Sequence, residues 1–239
     1  MVSGKQQEVS KKELIFNRRI QKMINKKRAI VIGSTGMVGT QLIQLLLQSN
    51  EYSEIVSLVR RPSGIVHPKL IENCIDFDNP EAWSDLVKGD VLFSTLGTTI
   101  AQAKTKAAQY KVDFTYQYNV AEIAAKNGVA KYVLVSAAGA NAKSMTFYMK
   151  IKGKLEVAVQ SLPFEVISII RPGQLAGNRT EKRFGEKIGL AVMSVINKLG
   201  LLKPYRPIHA RQVAQAMINA ASKKESGSYT LEEVFKLAH

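Results

Sequence analysis

Arg28-Ala-Ile-Val-Ile-Gly-Ser-Thr-Gly-Met-Val-Gly39, running on into Thr-Gln-Leu-Ile-Gln-Leu-Leu-Leu-Gln48, decides the fold. A short β-branched run is followed by glycines at three-residue spacing and then by apolar residues at helical spacing, the order strand, turn, helix. Gly33 permits the tight turn, Gly36 lets the backbone approach a pyrophosphate, and Gly39 lets helix and strand pack closely. The N-terminus of the helix presents amide groups to an anion. The glycine pattern alone is common by chance, and its place inside a complete βαβ unit is what gives it weight. Gly33, Ser34, Thr35, Gly36, Met37, Val38 and Gly39 are therefore expected to cradle the phosphates of a dinucleotide.

From this unit outward, short β-branched runs alternate with helical segments, as in a parallel sheet covered on both faces. Strands are predicted at Ala29 to Ile32, Ile55 to Val59, Ile71 to Phe77, Val91 to Thr95, Tyr132 to Ser136, Val166 to Arg171 and Tyr229 to Leu231. Most are continuously apolar, as strands buried on both faces require. Helices are predicted at Met37 to Gln48, Tyr116 to Asn127, Phe147 to Ser161, Ile188 to Leu199 and Ala210 to Ser222. No internal repeat or low-complexity linker interrupts the chain. The expected fold is α/β, a doubly wound parallel sheet (Rossmann fold) with a small C-terminal helical cap, in one domain from 29 to 239 behind a basic extension over 1–28.

At 239 residues and 46% hydrophobic composition the chain can bury a full core, which excludes collagen-like and disordered classes. Its formal charge of +15 makes nucleic acid, an anionic membrane or an anionic small molecule worth testing as partner. Residues 1–28 hold nine basic and two acidic side chains, so nearly half of that charge sits ahead of the first strand. There Phe16, Ile20, Met23 and Ile24 fall at helical spacing; a solvated helix or tail is the preferred reading, which makes nucleic acid a disfavoured partner. The single cysteine, Cys74, forms no intramolecular disulfide, and three histidines form no metal-ligand cluster, so no metal is expected. The start lacks the apolar segment of a secretory signal, and Glu8 and Glu13 argue against a transit peptide. With no apolar run of membrane-spanning length, a cytoplasmic protein is expected. The apolar stretch Ile188 to Leu202 reads as a homodimer face or a substrate lid.

The second strand ends in Val59-Arg60-Arg61-Pro62, where an NAD site would carry an acid for the ribose hydroxyls. Guanidinium groups there suit a 2′-phosphate, so NADP(H) is favoured over NAD(H). Asp76 and Phe77, after the third strand, are candidates for the adenine edge, and the turn Thr95, Leu96, Gly97, Thr98 for the cofactor's path.

Tyr148 and Lys152 lie four apart on one helical face. An ammonium beside a phenol stabilises the phenolate, so Tyr148 can exchange a proton with a carbonyl or hydroxyl while Lys152 reaches the cofactor ribose. Ser136, at the C-terminal end of the fifth strand, can hold the same substrate oxygen. Lys150, Lys154, Arg179 and Arg183 read as a solvated basic face, with an anionic substrate as the alternative.

Together the series GSTGMVG, LVRRP, DVLFSTLGTT, VDFTYQYNVAEIAAKNGV, KYVLVSAAGAN, FYMKIKGKLE, IIRPGQLAGNRTEKRFGE and RPIHARQVAQAM resembles the atypical branch of the short-chain dehydrogenase/reductase superfamily, near the HIV Tat-interacting-protein oxidoreductases and the NmrA-like proteins. The resemblance implies that Gly33, Gly36, Gly39, Arg60 and the Gly97 turn hold cofactor, that Tyr148 and Lys152 are the catalytic pair, and that Arg171, Pro172 and Gly173 lie beside the nicotinamide. It implies an NADP(H)-dependent oxidoreductase acting on a small-molecule carbonyl or alcohol. A non-enzymatic cofactor sensor and an epimerase with retained cofactor are the alternatives. Where relatives carry paired serines after the fifth strand, this chain has Ser136 followed by Ala137.

Overall fold

The structure, a computed structural model, describes residues 26–176 and 206–239. Seven strands, β1 (Lys27–Ile32), β2 (Tyr52–Val59), β3 (Leu70–Cys74), β4 (Val91–Ser94), β5 (Lys131–Val135), β6 (Val166–Arg171) and β9 (Gly227–Thr230), form one sheet in the order β3-β2-β1-β4-β5-β6-β9. Every adjacent pair in that sheet is parallel. The strand order reverses between β1 and β4, which places a crevice above their C-terminal ends.

The apolar runs fill both faces by simple alternation. Ala29 and Val31 of β1 belong to one core, with Phe93 of β4 and the helices α1 (Met37–Gln48) and α6 (Ala210–Ala221). Ile30 and Ile32 belong to the other, with Leu92, Leu134 and the helices α4 (Tyr116–Lys126) and α5 (Phe147–Gln160). Each fully buried Leu or Ile in these layers contributes about 1.5–3 kcal/mol of hydrophobic stabilisation. α6 carries Val213, Ala214, Ala216, Met217 and Ala220 into the first core, so it completes a layer of the sandwich itself. The final helix α7 (Glu232–Leu237) adds Val234 and Phe235 to the same core.

Most predicted elements appear within a few residues of their expected bounds. Asn127-Gly128 ends α4 as expected, with Gly128 at φ +78°. Phe77 lies beyond β3 in a loop, where its ring is buried between Trp83 and Tyr116. The segment between β4 and α4 was not foreseen: it folds as α2 (Ile100–Ala103), α3 (Lys106–Tyr110) and a π-helical turn over Lys111–Thr115. A two-stranded parallel pair, β7 (Leu175–Ala176) with β8 (Ile208–His209), was also missed, since two-residue strands leave no periodic signal. The leader before residue 26, Arg179, Arg183 and the stretch Ile188 to Leu202 lie outside the described residues.

Gly153 explains how the loop after β5 is held. A Cβ there would run into the backbone of Asn141 and Ala142, with the Asn141 Cα at 2.6 Å, so the loop is packed directly onto α5. Gly153→Ala is expected to destabilise the fold by about 1–3 kcal/mol, because backbone cannot swing aside as a side chain can. Thermal unfolding of the variant checks this: a melting temperature equal to that of the parent chain contradicts the packing described.

Candidate functional site

The turn after β1 is built as the cradle requires. Gly33 adopts φ +77°, and a Cβ there would strike the backbone of Thr95 and Leu96 in the turn after β4. A Cβ on Gly39 would strike the Gly33 carbonyl, so α1 also packs against the turn by backbone contact. The Gly36 amide donates to the Gly33 carbonyl at 3.0 Å, and Gly36 caps α1 with no side-chain cap and no acidic residue in the first turn. Thr35 and Gly36 are exposed, and a Cβ on Gly36 would meet only that carbonyl, at 3.3 Å. An uncapped helix N-terminus beside an open glycine backbone fits the pyrophosphate of a dinucleotide. Ser34 is instead buried, its hydroxyl accepting from Ser57 of β2 at 2.7 Å, which ties the turn to the neighbouring strand.

The turn after β4 is fastened to the first. The Thr95 amide and hydroxyl both donate to the Ile32 carbonyl, at 3.0 and 2.8 Å. Beneath it lies a carboxylate that sequence reasoning did not single out. Asp113, in the π-helical turn, is fully buried; its Oδ2 accepts the Thr98 amide at 3.1 Å and its Oδ1 lies 3.3 Å from Nζ of Lys152. Lys152 is itself buried. Gln117 donates to the Asp113 carbonyl at 2.9 Å and accepts the Ser94 hydroxyl at 2.7 Å, so the end of β4 and the start of α4 share one buried polar network. The signal was present: Asp113 and Gln117 occupy the first two places of the stripe completed by Val120, Ala121 and Ala124, all of them buried. Polar residues in core positions of an otherwise regular pattern are the mark of a site.

Ser136 follows β5, its amide donating to the Ile170 carbonyl at 2.7 Å. Its Oγ is buried and makes no hydrogen bond among the described residues, a cost of about 1–3 kcal/mol that a bound oxygen would offset. Tyr148 is half-buried on α5, one turn ahead of Lys152. The guanidinium of Arg171 points to α5, making bonds of 3.0 and 2.6 Å to the buried Glu156, which holds the arginine's pKa above its usual value. Of that tripeptide, Pro172 accepts the Ala138 amide at 2.9 Å and Gly173 has Leu231 against its open face.

Arg60 and Arg61 are exposed at the end of β2. Their loop is held by Glu72 of β3, which accepts the Ser63 amide at 2.7 Å. Asp76 is exposed as well, its Oδ1 accepting the Asp78 amide at 3.0 Å. Asp78 in turn accepts from Lys111 at 2.8 Å and Tyr116 at 3.0 Å, and the lysine holds the carboxyl below the usual carboxylate range. This latch fixes the π-helical turn against the loop after β3. Among the described residues no cluster of three or more His, Cys, Asp or Glu side chains is arranged to hold a metal ion.

Gly33→Ala tests the cradle. Alanine at φ +77° costs about 1–2 kcal/mol of backbone strain before its contact with Leu96 is added. The variant is expected to melt at lower temperature and to lose measurable NAD(P)H binding in a titration followed by cofactor fluorescence. Undiminished binding would contradict the assignment of the turn.

Comparison with known proteins agrees with this geometry. Residues 33–224 match the family described as NAD(P)H-binding. Protein FMP52-1, mitochondrial, of Scheffersomyces stipitis is 33% identical over 82% of this chain and 88% of its own length. Protein FMP52, mitochondrial, of Meyerozyma guilliermondii is 35% identical over 81% and 85%. Among solved structures, a UDP-N-acetylglucosamine 4-epimerase from Methanobrevibacter ruminantium superposes with a TM-score of 0.64 at 14% identity over 89% of this chain and 81% of that one. WbmH of Bordetella bronchiseptica, in complex with NAD+, gives 0.64 at 16% over 86% and 76%. These likenesses agree with the resemblance to the atypical short-chain dehydrogenase/reductases.

The relatives overturn one expectation. Several are named mitochondrial, against the cytoplasmic location inferred from sequence. Residues 1–28 carry nine basic against two acidic side chains, with Phe16, Ile20, Met23 and Ile24 at helical spacing, so Glu8 and Glu13 do not by themselves exclude a targeting segment. Among the described residues no helix is long and apolar enough to cross a membrane. By its parallel sheet, its glycine turn and these matches, the chain belongs to the NAD(P)H-binding family of Rossmann proteins.

Proposed function

We propose that this protein is a mitochondrial NADP(H)-dependent oxidoreductase that reduces a carbonyl, or oxidises an alcohol, on a small molecule. The observation that carries the reading is Ser136: a buried hydroxyl without a partner among the described residues, at the C-terminal end of the sheet, opening the loop that packs on the helix bearing Tyr148 and Lys152. The bound cofactor would supply or accept the hydride. Ser136 would donate to the substrate oxygen, and Tyr148 would give that oxygen its proton as a carbonyl becomes an alcohol. The ammonium of Lys152 stabilises the phenolate left behind, and Tyr148, half-buried, regains a proton from water.

The NADP(H) preference is supported by Arg60 and Arg61, exposed where the ribose of the adenosine half would lie, with no carboxylate in that position. The location is supported by the relatives' names and by the basic leader. Ala137, in place of a second serine, favours a second reading: a cofactor-binding sensor that turns over little.

Tyr148→Phe is expected to lower kcat for an accepted carbonyl by about 100-fold or more while NADPH affinity is kept. Unchanged turnover would remove Tyr148 from its role, and NADPH binding with no oxidation across a broad carbonyl panel would favour the sensor. Replacing Arg60 and Arg61 by Ala is expected to weaken NADPH by about 10-fold or more, as charged hydrogen bonds are lost, and NADH hardly at all. Equal losses for the two cofactors in a titration would contradict the phosphate contact.

A further inference from the structure

We propose that Asp113 is the positioning residue of the cofactor site, holding the ammonium of Lys152 at the turn after β4 before any ligand arrives. The proposal rests on the reading that Lys152 meets the cofactor. A fully buried carboxylate is costly unless paired and hydrogen-bonded, and Asp113 is given both kinds of partner: Lys152 at 3.3 Å and the Thr98 amide at 3.1 Å. The carboxylate thus joins the catalytic helix to the cofactor turn. Gly97 sits over the joint: a Cβ there would lie 3.1 Å from Oδ1 of Asp113, a tight contact, and 3.8 Å from Nζ of Lys152, so the turn after β4 lies directly against the pair.

Two further features suit positioning. A free lysine side chain samples many rotamers, and fixing it costs up to about 2 kcal/mol, a cost already met here by the ion pair. Asp113 is carried by a π-helical turn, whose wider winding aims a side chain that a regular helix would direct elsewhere, and that turn is pinned by Gln117 from within and by the Asp78–Lys111 pair from outside. A ribose hydroxyl entering the crevice would meet a donor already in place. A purely structural Asp113, capping Thr98 alone, would act without reference to Lys152.

The test is a double-mutant cycle with Asp113→Asn, which keeps the size and an acceptor for Thr98 but removes the charge, and Lys152→Met. D113N is expected to weaken NADPH, followed by titration, by about 10-fold or more in the parent chain and to have no further effect in the K152M background. In thermal unfolding, K152M alone strands a buried carboxylate and is expected to lose at least about 5 °C, most of which the D113N/K152M double variant regains. Asp113→Glu, which keeps the charge, should bind NADPH more tightly than D113N. Equal weakening by D113N with and without Lys152, or a K152M variant as stable as the parent, overturns the proposal. Failure of the unaltered chain to bind NADPH overturns the functional reading and this role together; NADPH binding that D113N leaves unchanged overturns this role alone. Should D113N not fold, the stability of D113N/K152M against K152M still decides whether the two charges depend on each other.

Discussion

The site depends on a backbone contact at the point where the strand order reverses. Gly33 brings the turn after β1 so close to Thr95 and Leu96 that no side chain fits between them. That approach requires a positive φ, and it sets the spacing of everything above: the N-terminus of α1 on one side, the turn Leu96–Thr98 on the other. The two hydrogen bonds from Thr95 to the Ile32 carbonyl hold the approach from below. A crevice at such a switch point is where open parallel sheets bind ligands, because two adjacent strands send their following loops to opposite faces.

Charge is taken into this region only in compensated form. Asp113 and Lys152 neutralise each other under the second turn, and Arg171 and Glu156 do so one helical turn further along α5. Both pairs bind α5 to the sheet's C-terminal edge by links that an apolar contact could not give, since each fixes direction as well as distance. Buried ion pairs add little net stability against a well-packed apolar alternative, so their value here is orientation. Ser136 Oγ is a buried polar atom with no hydrogen-bond partner among the described residues, and its position at the end of β5, where open parallel sheets bind ligands, gives it much to gain from one.

The layers of the fold were legible because buried parallel strands are apolar on both faces and the helices between them keep a regular stripe. Residues 28–48 show this best: the glycine spacing predicts strand, turn and helix, and β1 and α1 follow it almost residue for residue. That Tyr148 and Lys152 share one helix and that Ser136 follows the fifth strand was legible from spacing. Asp113 was not, because its meaning depends on Lys152, 39 positions later, and on a π-helical turn that no short-range rule announces. Gly153 and Glu156 were hidden for the same reason, their partners lying in the loop after β5 and at the end of β6. Of the formal charge of +15, nearly half lies in residues 1–28, and Arg60 and Arg61 stand exposed at the end of β2.

The central claim is that the crevice above β1 and β4 does hydride chemistry on a carbonyl held by Ser136 and protonated by Tyr148. Its most direct test is transfer of deuterium from NADPH labelled at the nicotinamide C4 position, with the product of an accepted carbonyl examined by mass spectrometry. Deuterium on the carbon of the new alcohol is the predicted result, and its loss in Tyr148→Phe ties the transfer to this site. Saturable NADPH binding with no label leaving the cofactor for any carbonyl would contradict it.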